Sequence, residues 1–157
     1  MSFFPLFIDI SEKNILVIGG GRIALRRIRT LVEFGCRVTV VAPEICEEMK
    51  ALTDGRSVKW EKGDYASSFL TANRPLFVLA AAPAEINERV VADCRKRGIP
   101  VNDASRKENC DFYFPGIVKE GETVIGVTAG GKDHRLAAIL TAALKKKIIG
   151  LLDPSDN

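Results

Sequence analysis

The sequence predicts an α/β protein: a Rossmann-like parallel sheet, followed by a small C-terminal hairpin-plus-helix segment for dimerisation. Three observations carry this. An apolar, β-forming run, Ile15-Leu16-Val17-Ile18, ends in a glycine loop and passes at once into a helical pattern. Further apolar runs then alternate with amphipathic helical stretches, which implies a parallel sheet covered on both faces. After residue 113 the alternation stops, and a hairpin followed by one helix takes over.

The first strand is expected over Asn14–Ile18. The loop behind it reads Gly-x-Gly-x-x-Ala, with Gly19, Gly21 and Ala24 at the three defined positions. This is the pattern of a dinucleotide-phosphate cradle. Gly19 permits the tight turn out of the strand, Gly21 lets a pyrophosphate approach the backbone, and Ala24 allows close helix–strand packing. A helix starting near Arg22 turns its free N–H groups and positive dipole end toward the phosphates. It is expected over Ile23–Glu33. There Ala24, Leu25, Ile28, Leu31 and Val32 recur at helical spacing, and Arg26, Arg27 and Arg29 fill the other face. Gly35 separates it from a strand over Arg37–Val41.

A second helix is expected over Glu44–Leu52, a short strand over Val58–Trp60, and a buried strand over Leu76–Ala81. The stretch Glu85–Arg97 is amphipathic, with Ile86, Val90, Val91 and Cys94 on one face, and Gly98 ends it as helix C-termini prefer. Ile99–Asn102 supplies the next strand. Beyond it, Ile117-Val118 and Thr123–Thr128 flank Lys119-Glu120-Gly121-Glu122 as a hairpin, and a helix is expected from about His134 to Leu152. Its apolar face carries Leu136, Ile139, Leu140, Ala143 and Leu144. A hairpin and one helix bury little alone, so this segment must pack on the first domain or on another subunit, and a homodimer built through it is expected. The domain reading is residues 1–113 for cofactor binding and 114–157 for dimerisation and the substrate side.

The composition sets limits. The net charge of +3 over 157 residues does not argue for nucleic acid. No apolar run approaches the ~20 residues of a membrane span. The start, Met1-Ser2-Phe3-Phe4-Pro5, lacks the basic opening and apolar core of a signal peptide, so a cytoplasmic location is expected. The four cysteines form no Cys-x-x-Cys pair and are read as reduced, mostly buried thiols. With His134 the only histidine, no metal site is expected.

The second strand of such a fold delivers a group to the adenosine ribose, commonly an acid. Here it runs into Val40-Val41-Ala42-Pro43-Glu44. Glu44 either accepts from the ribose hydroxyls or is a first-turn helix acid behind Pro43 at the first helical position. Arg22 and Arg37 would instead suit a 2′-phosphate, so these residues leave NAD and NADP open. Ala80-Ala81-Ala82 are small residues at a strand's carboxyl end. They suit a flat ring lying on the backbone, or simple close packing.

Taken in order, Phe4-Pro5-Leu6-Phe7, Leu16 to Gly21, Ala24-Leu25-Arg26-Arg27, Val40 to Glu44, Asn87, Ile99 to Asn102, Cys110 to Pro115 and Thr128 to Gly131 span nearly the whole chain. In this order the chain resembles the precorrin-2 dehydrogenase family, the dehydrogenase/chelatase module of siroheme synthase. The resemblance implies oxidation of precorrin-2 to sirohydrochlorin with NAD as hydride acceptor, and in some members insertion of ferrous iron. It implies cofactor contacts from Arg22, Ile23, Pro43 and Glu44.

The chain departs from the family where a carboxylate follows the fifth strand. Ser105 stands at the family's aspartate position, and Asp103 lies two residues earlier, on the same side of an extended segment. Asp103 is therefore the candidate general base, or else only the cap of the following turn. The departure bears on chelation more than on hydride transfer, which depends on the cofactor's positioning. Asp133-His134 stand where the family often has Ser-Pro, and with Lys132 and Arg135 they form a helix start. There Lys132 and Arg135 suit substrate carboxylates and His134 suits ligation or proton transfer, or all four make a solvated face. Substrate contacts from the further helices common in the family are expected to be absent or supplied by a partner. The readings set against the dehydrogenase are a non-catalytic NAD-sensing or tetrapyrrole-binding module and a chelatase alone.

Overall fold

The computed structural model describes residues 3–53, 55–131 and 133–152, the last four of these through the backbone alone. The chain divides into two units, Asp9–Tyr113 and the pair Met1–Ile8 with Phe114–Asn157. The first residues thus group with the hairpin and last helix, whereas the sequence reading ran the first domain from residue 1.

The first unit is a five-stranded parallel sheet in the order β3-β2-β1-β4-β5. Its strands are β1 (Asn14–Ile18), β2 (Arg37–Ala42), β3 (Val58–Lys62), β4 (Phe77–Ala80) and β5 (Val101–Asp103). The order places β1 at the centre. The chain steps outward through β2 and β3, then returns to the other side of β1 with β4 and β5. Strands buried on both faces read as continuous apolar runs; Ile15, Leu16, Val17 and Ile18 are each almost wholly buried.

Helices α1 (Arg22–Val32), α2 (Glu47–Thr53), α3 (Ser68–Asn73) and α4 (Ala84–Arg97) cover the sheet. Leu16, Ile18, Val78, Ala80, Val90, Val91, Cys94 and Val101 pack in one cluster with Tyr65 and Leu70. Gly98 ends α4 in the left-handed conformation, at φ 64°. Two elements were not foreseen, α3 and a 3-10 turn at Lys107–Asn109. Six and three residues are too few to display a helical period. All four cysteines are free.

The open edge of β5 is closed by Asp111. Its carboxylate accepts the Val101 N–H at 2.9 Å, and its own N–H donates to the Val101 carbonyl at 2.9 Å. The side chain stands in for the missing sixth strand. Asp111→Ala leaves the N–H of a fully buried residue without its acceptor, so we expect a loss of about 1–3 kcal/mol, read as a lower urea midpoint.

The second unit pairs β6 (Gly116–Glu120) with β7 (Thr123–Val127) as an antiparallel hairpin, on which α5 (His134–Leu152) packs. Asp133 caps α5, its Oδ1 accepting the Leu136 N–H at 2.8 Å. This unit exposes Phe4, Leu6, Phe7 and Ile8 together with Leu136, Ile139 and Leu140 of α5. Among the described residues, no helix is long and apolar enough to cross a membrane.

Candidate functional site

The direction of winding reverses at β1, so a crevice opens outside the carboxyl ends of β1 and β4. The glycine loop lies at that point, and each of its three glycines has a different duty. Gly19 has φ +115°, and a Cβ there would sit 2.2 Å from the Ala81 carbonyl oxygen. Its N–H donates to the Val41 carbonyl at 2.9 Å, while the Ala81 N–H donates to the Ile18 carbonyl at 2.8 Å. Gly19 therefore fixes the turn and lets the β4 exit, Ala81-Ala82, close against the loop.

Gly20 performs the same service on the other side. A Cβ there would lie 2.2 Å from the Glu44 carbonyl oxygen, and its own carbonyl accepts the Cys46 N–H at 2.9 Å. The loop after β2 thus lies directly on the glycine loop. The Gly-x-Gly-x-x-Ala pattern treats this position as free. Only the packing of a segment two dozen residues away explains it.

Gly21 is extended (φ −88°, ψ −175°), and a Cβ built there meets nothing within 4 Å. It is the N-cap of α1 but offers no side-chain cap, and the first turn of α1 holds no acid. An uncapped helix start beside open space is a ready anion site. Ala24, wholly buried, keeps α1 close to the sheet. Arg22 and Ile23 are exposed beside Gly21, Ile23 to 50%. Arg22 lines an open groove with Leu25, Arg26, Arg29 and Glu48. The pyrophosphate of a dinucleotide fits these residues: open space at Gly21, free amides at the start of α1, and no acid in that helix's first turn.

Pro43 and Glu44 lie exposed in the loop between β2 and α2. The sequence reading began the second helix at Glu44, but α2 begins at Glu47, and Glu47 and Glu48 are its first-turn acids. Packing on Gly20 holds residues 44–46 out of the helix, so Glu44 is not a helix-start acid. Trp60 of β3 flanks this loop, its indole N–H donating to the Ala42 carbonyl at 2.9 Å with the Lys62 ammonium over its ring. Arg37 is removed from the site. It opens β2 at the amino end of the sheet and pairs with Glu12, a full strand length from the glycine loop.

On the other side of the crevice is a buried polar cluster at the end of β5. Asp103 is 3% exposed. Its Oδ1 accepts from the Ser105 N–H (2.8 Å), the Ser105 hydroxyl (2.5 Å) and Asn87 Nδ2 (3.2 Å); its Oδ2 accepts from Asn109 Nδ2 (2.8 Å). Asn87, wholly buried on α4, also donates to Ser105 Oγ at 3.2 Å and accepts the Ala82 N–H at 3.0 Å. One amide thus ties the β4 exit to the β5 exit. Cys110 closes the cluster from below, exchanging hydrogen bonds with the Asp103 N–H (3.3 Å) and carbonyl (3.2 Å). The cluster leaves no buried side-chain polar atom unpaired among the described residues.

Burial pushes the Asp103 carboxyl up, but the hydrogen bonds from Asn109, Ser105 and the Arg106 backbone outweigh it and hold the pKa below the ordinary aspartate value. A depressed native pKa means stability that is present above the unfolded-chain value and lost as pH falls through the native one. We expect acid unfolding below about pH 4 to be less steep in Asp103→Asn than in the wild type, measured by circular dichroism against pH.

The sequence-predicted groups fall into three sets. Gly19, Gly21, Arg22, Ile23, Ala24, Pro43 and Glu44 come together around the glycine loop. Asp103 and Ser105 adjoin the same sheet edge through Asn87. His134 and Arg135 are exposed at the start of α5 in the second unit, and Lys132 lies outside the described residues. Asn87 and Asn109 had been given no role. For Asn87 the signal was present, because its spacing to Val90, Val91 and Cys94 puts a polar side chain on the buried face of α4. Among the described residues, no three His, Cys, Asp or Glu side chains converge as a metal site.

The family model described as "Putative NAD(P)-binding" matches residues 6–116, which contain the whole glycine loop and all five parallel strands. The chain belongs to this NAD(P)-binding family. It is 36% identical over 145 residues to the "Probable multifunctional siroheme biosynthesis protein HemA" of Ruminiclostridium josui, covering 91% of this chain and 28% of that one. It is 31% identical over 153 residues to the siroheme synthase of Buchnera aphidicola subsp. Acyrthosiphon pisum (strain APS), covering 97% of this chain and 31% of that one. The chain therefore spans about three tenths of the length of these curated relatives. Its fold is similar to that of a solved structure titled "SirC, precorrin-2 dehydrogenase", with a TM-score of 0.67 at 22% identity over 96% of this chain and 72% of the other. The parallel sheet of the NAD(P)-binding domain, with its appended hairpin and helix, is the architecture that the alternating pattern predicted.

Proposed function

We propose that this chain oxidises precorrin-2 to sirohydrochlorin, using NAD as the hydride acceptor. The observation that carries the reading is the open, uncapped start of α1 at Gly21, set at the switch point of a family NAD(P)-binding domain. The siroheme biosynthesis proteins among its relatives supply the substrate class.

Bound NAD would supply the two-electron acceptor. The chain's own residues do the rest. The N–H groups of Arg22 and Ile23 at the start of α1 would hold the pyrophosphate at Gly21, with the buried Ala24 keeping that helix close to the sheet. Ile23, half-exposed, covers one side of the dinucleotide. Pro43 and Glu44, exposed after β2, would meet the adenosine, where Glu44 could accept from its ribose hydroxyls. Ala81 and Ala82, partly exposed beyond the buried Ala80, would form a floor with only small side chains for the rest of the cofactor. Asp103, buried behind Ser105, supplies a fixed negative charge that stabilises the positive charge left on the macrocycle by hydride loss, and the proton then leaves to solvent.

We further propose a homodimer built through the second unit, with Leu136, Ile139 and Leu140 and the N-terminal Phe4, Leu6, Phe7 and Ile8 covered by a second copy. Patches of this kind on a small unit mark interaction sites. Ile139→Glu is expected to give monomers in analytical ultracentrifugation at micromolar concentration; an unchanged dimer would move the interface elsewhere.

The test is anaerobic turnover of precorrin-2 with NAD or NADP at equal concentration. We expect conversion with NAD at least about tenfold faster, because the Glu44 carboxylate repels a 2′-phosphate. NAD binding without any conversion would make this a binding module instead.

A further inference from the structure

We propose that the Ser105 hydroxyl is the group of the β5 cluster that meets the substrate, and that it does so as a pure hydrogen-bond acceptor aimed at a ring N–H. This rests on the tetrapyrrole reading above and specifies which part of the macrocycle the site contacts.

Asp103 itself is sealed. Five donors, the Ser105 N–H, the Ser105 hydroxyl, Asn87, Asn109 and the Arg106 backbone, surround a carboxylate that has about four lone-pair positions. The residue is 3% exposed, and its charge is already stabilised where it stands. Ser105 is the exposed member of the network. A hydroxyl has one proton and two lone pairs. The proton is committed to Asp103 Oδ1 at 2.5 Å, and one lone pair takes the Asn87 N–H at 3.2 Å. What Ser105 presents outward is therefore a single lone pair and no donor. The bond to the carboxylate also enriches the oxygen in electron density.

A group of this kind selects by chemistry. It repels the substrate's peripheral carboxylates, which need donors, and it lies directly in front of a buried negative charge. It accepts from an N–H. A reduced tetrapyrrole carries both groups, so Ser105 faces the ring nitrogens and not the acidic rim. Asn87 and Asp103 act through Ser105 as positioning residues. Because Asn87 also holds the Ala82 N–H, the same amide sets the spacing between the acceptor and the β4 exit.

The test compares wild type, Ser105→Ala and Ser105→Thr in three measurements: turnover of precorrin-2, equilibrium titration with sirohydrochlorin, and NAD affinity, each with thermal stability recorded. Ser105→Ala is expected to lower kcat/KM and sirohydrochlorin affinity about 10- to 100-fold, the range of one hydrogen bond with a charge-assisted partner. NAD affinity is expected to stay at the wild-type value, while Tm falls in Ser105→Ala by the loss of one hydrogen bond to Asp103 and the variant still unfolds cooperatively. Ser105→Thr, which keeps the hydroxyl, should remain within about threefold of wild type. Wild-type behaviour of Ser105→Ala in both turnover and titration overturns the proposal. So does a Thr variant that folds normally yet fails like Ala. A wild type that binds sirohydrochlorin but does not turn over precorrin-2 removes the dehydrogenase reading alone, and the titration still decides Ser105. A wild type that neither binds nor turns over overturns both.

Discussion

Gly21→Asp folds at least as stably as the wild type and loses NAD. Both halves of this result follow from the same position. Gly21 has ordinary extended dihedrals (φ −88°), and a Cβ there meets no atom within 4 Å, so a side chain costs the fold nothing. It is the uncapped N-cap of α1, and Asp is among the best residues for that position. A gain of up to about 1 kcal/mol is expected from a side-chain oxygen accepting a first-turn N–H. The same carboxylate then occupies the helix start with a negative charge, where the pyrophosphate would lie. Steric exclusion and like-charge repulsion together should raise the dissociation constant for NAD by about 100-fold or more. Calorimetric titration with NAD, alongside thermal unfolding, checks both halves. Unchanged affinity would take the glycine loop out of the cofactor site.

Two residues earlier the expectation inverts. Gly19→Ala should damage the fold itself. At φ +115° any side chain is strained, and the new Cβ would lie 2.2 Å from the Ala81 carbonyl oxygen and 2.6 Å from its carbon, backbone atoms that cannot swing aside. Strain of about 1–3 kcal/mol and overpacking of about 1–3 kcal/mol act together. We expect a loss of about 3 kcal/mol or more in urea unfolding. Gly20→Ala meets the Glu44 carbonyl oxygen at 2.2 Å without the positive φ, so it should cost less while displacing the Pro43–Cys46 loop and weakening NAD binding. Three adjacent glycines thus separate into two that the fold requires and one that the ligand requires. Wild-type stability of Gly19→Ala would contradict the packing of β4 against the loop.

This division marks how far the sequence is legible. The strand–glycine–helix signature located the loop, and the periods of β1 and α5 set their bounds at Asn14–Ile18 and His134–Leu152. Those signals are local, since a strand buried on both faces and an apolar helical stripe are written in contiguous residues. The start of α2 was misread because Pro43-Glu44 looks like a helix opening, while the Cys46 N–H is in fact committed to Gly20. Arg37 was a plausible phosphate ligand until the register placed it beside Asn14, at the wrong end of β2. Asp103 was singled out as a carboxylate near the crevice, yet its partners Asn87 and Asn109 come from separate elements. Only the fold brings those amides together and turns Ser105 outward.

The central claim is tested most directly by a single turnover. Enzyme in excess over precorrin-2 is mixed anaerobically with NAD, and NADH and sirohydrochlorin are followed together. The account predicts that both appear at one rate and in equal amounts, and that Gly21→Asp yields neither while remaining folded. Sirohydrochlorin without NADH, or conversion that survives Gly21→Asp, would contradict it.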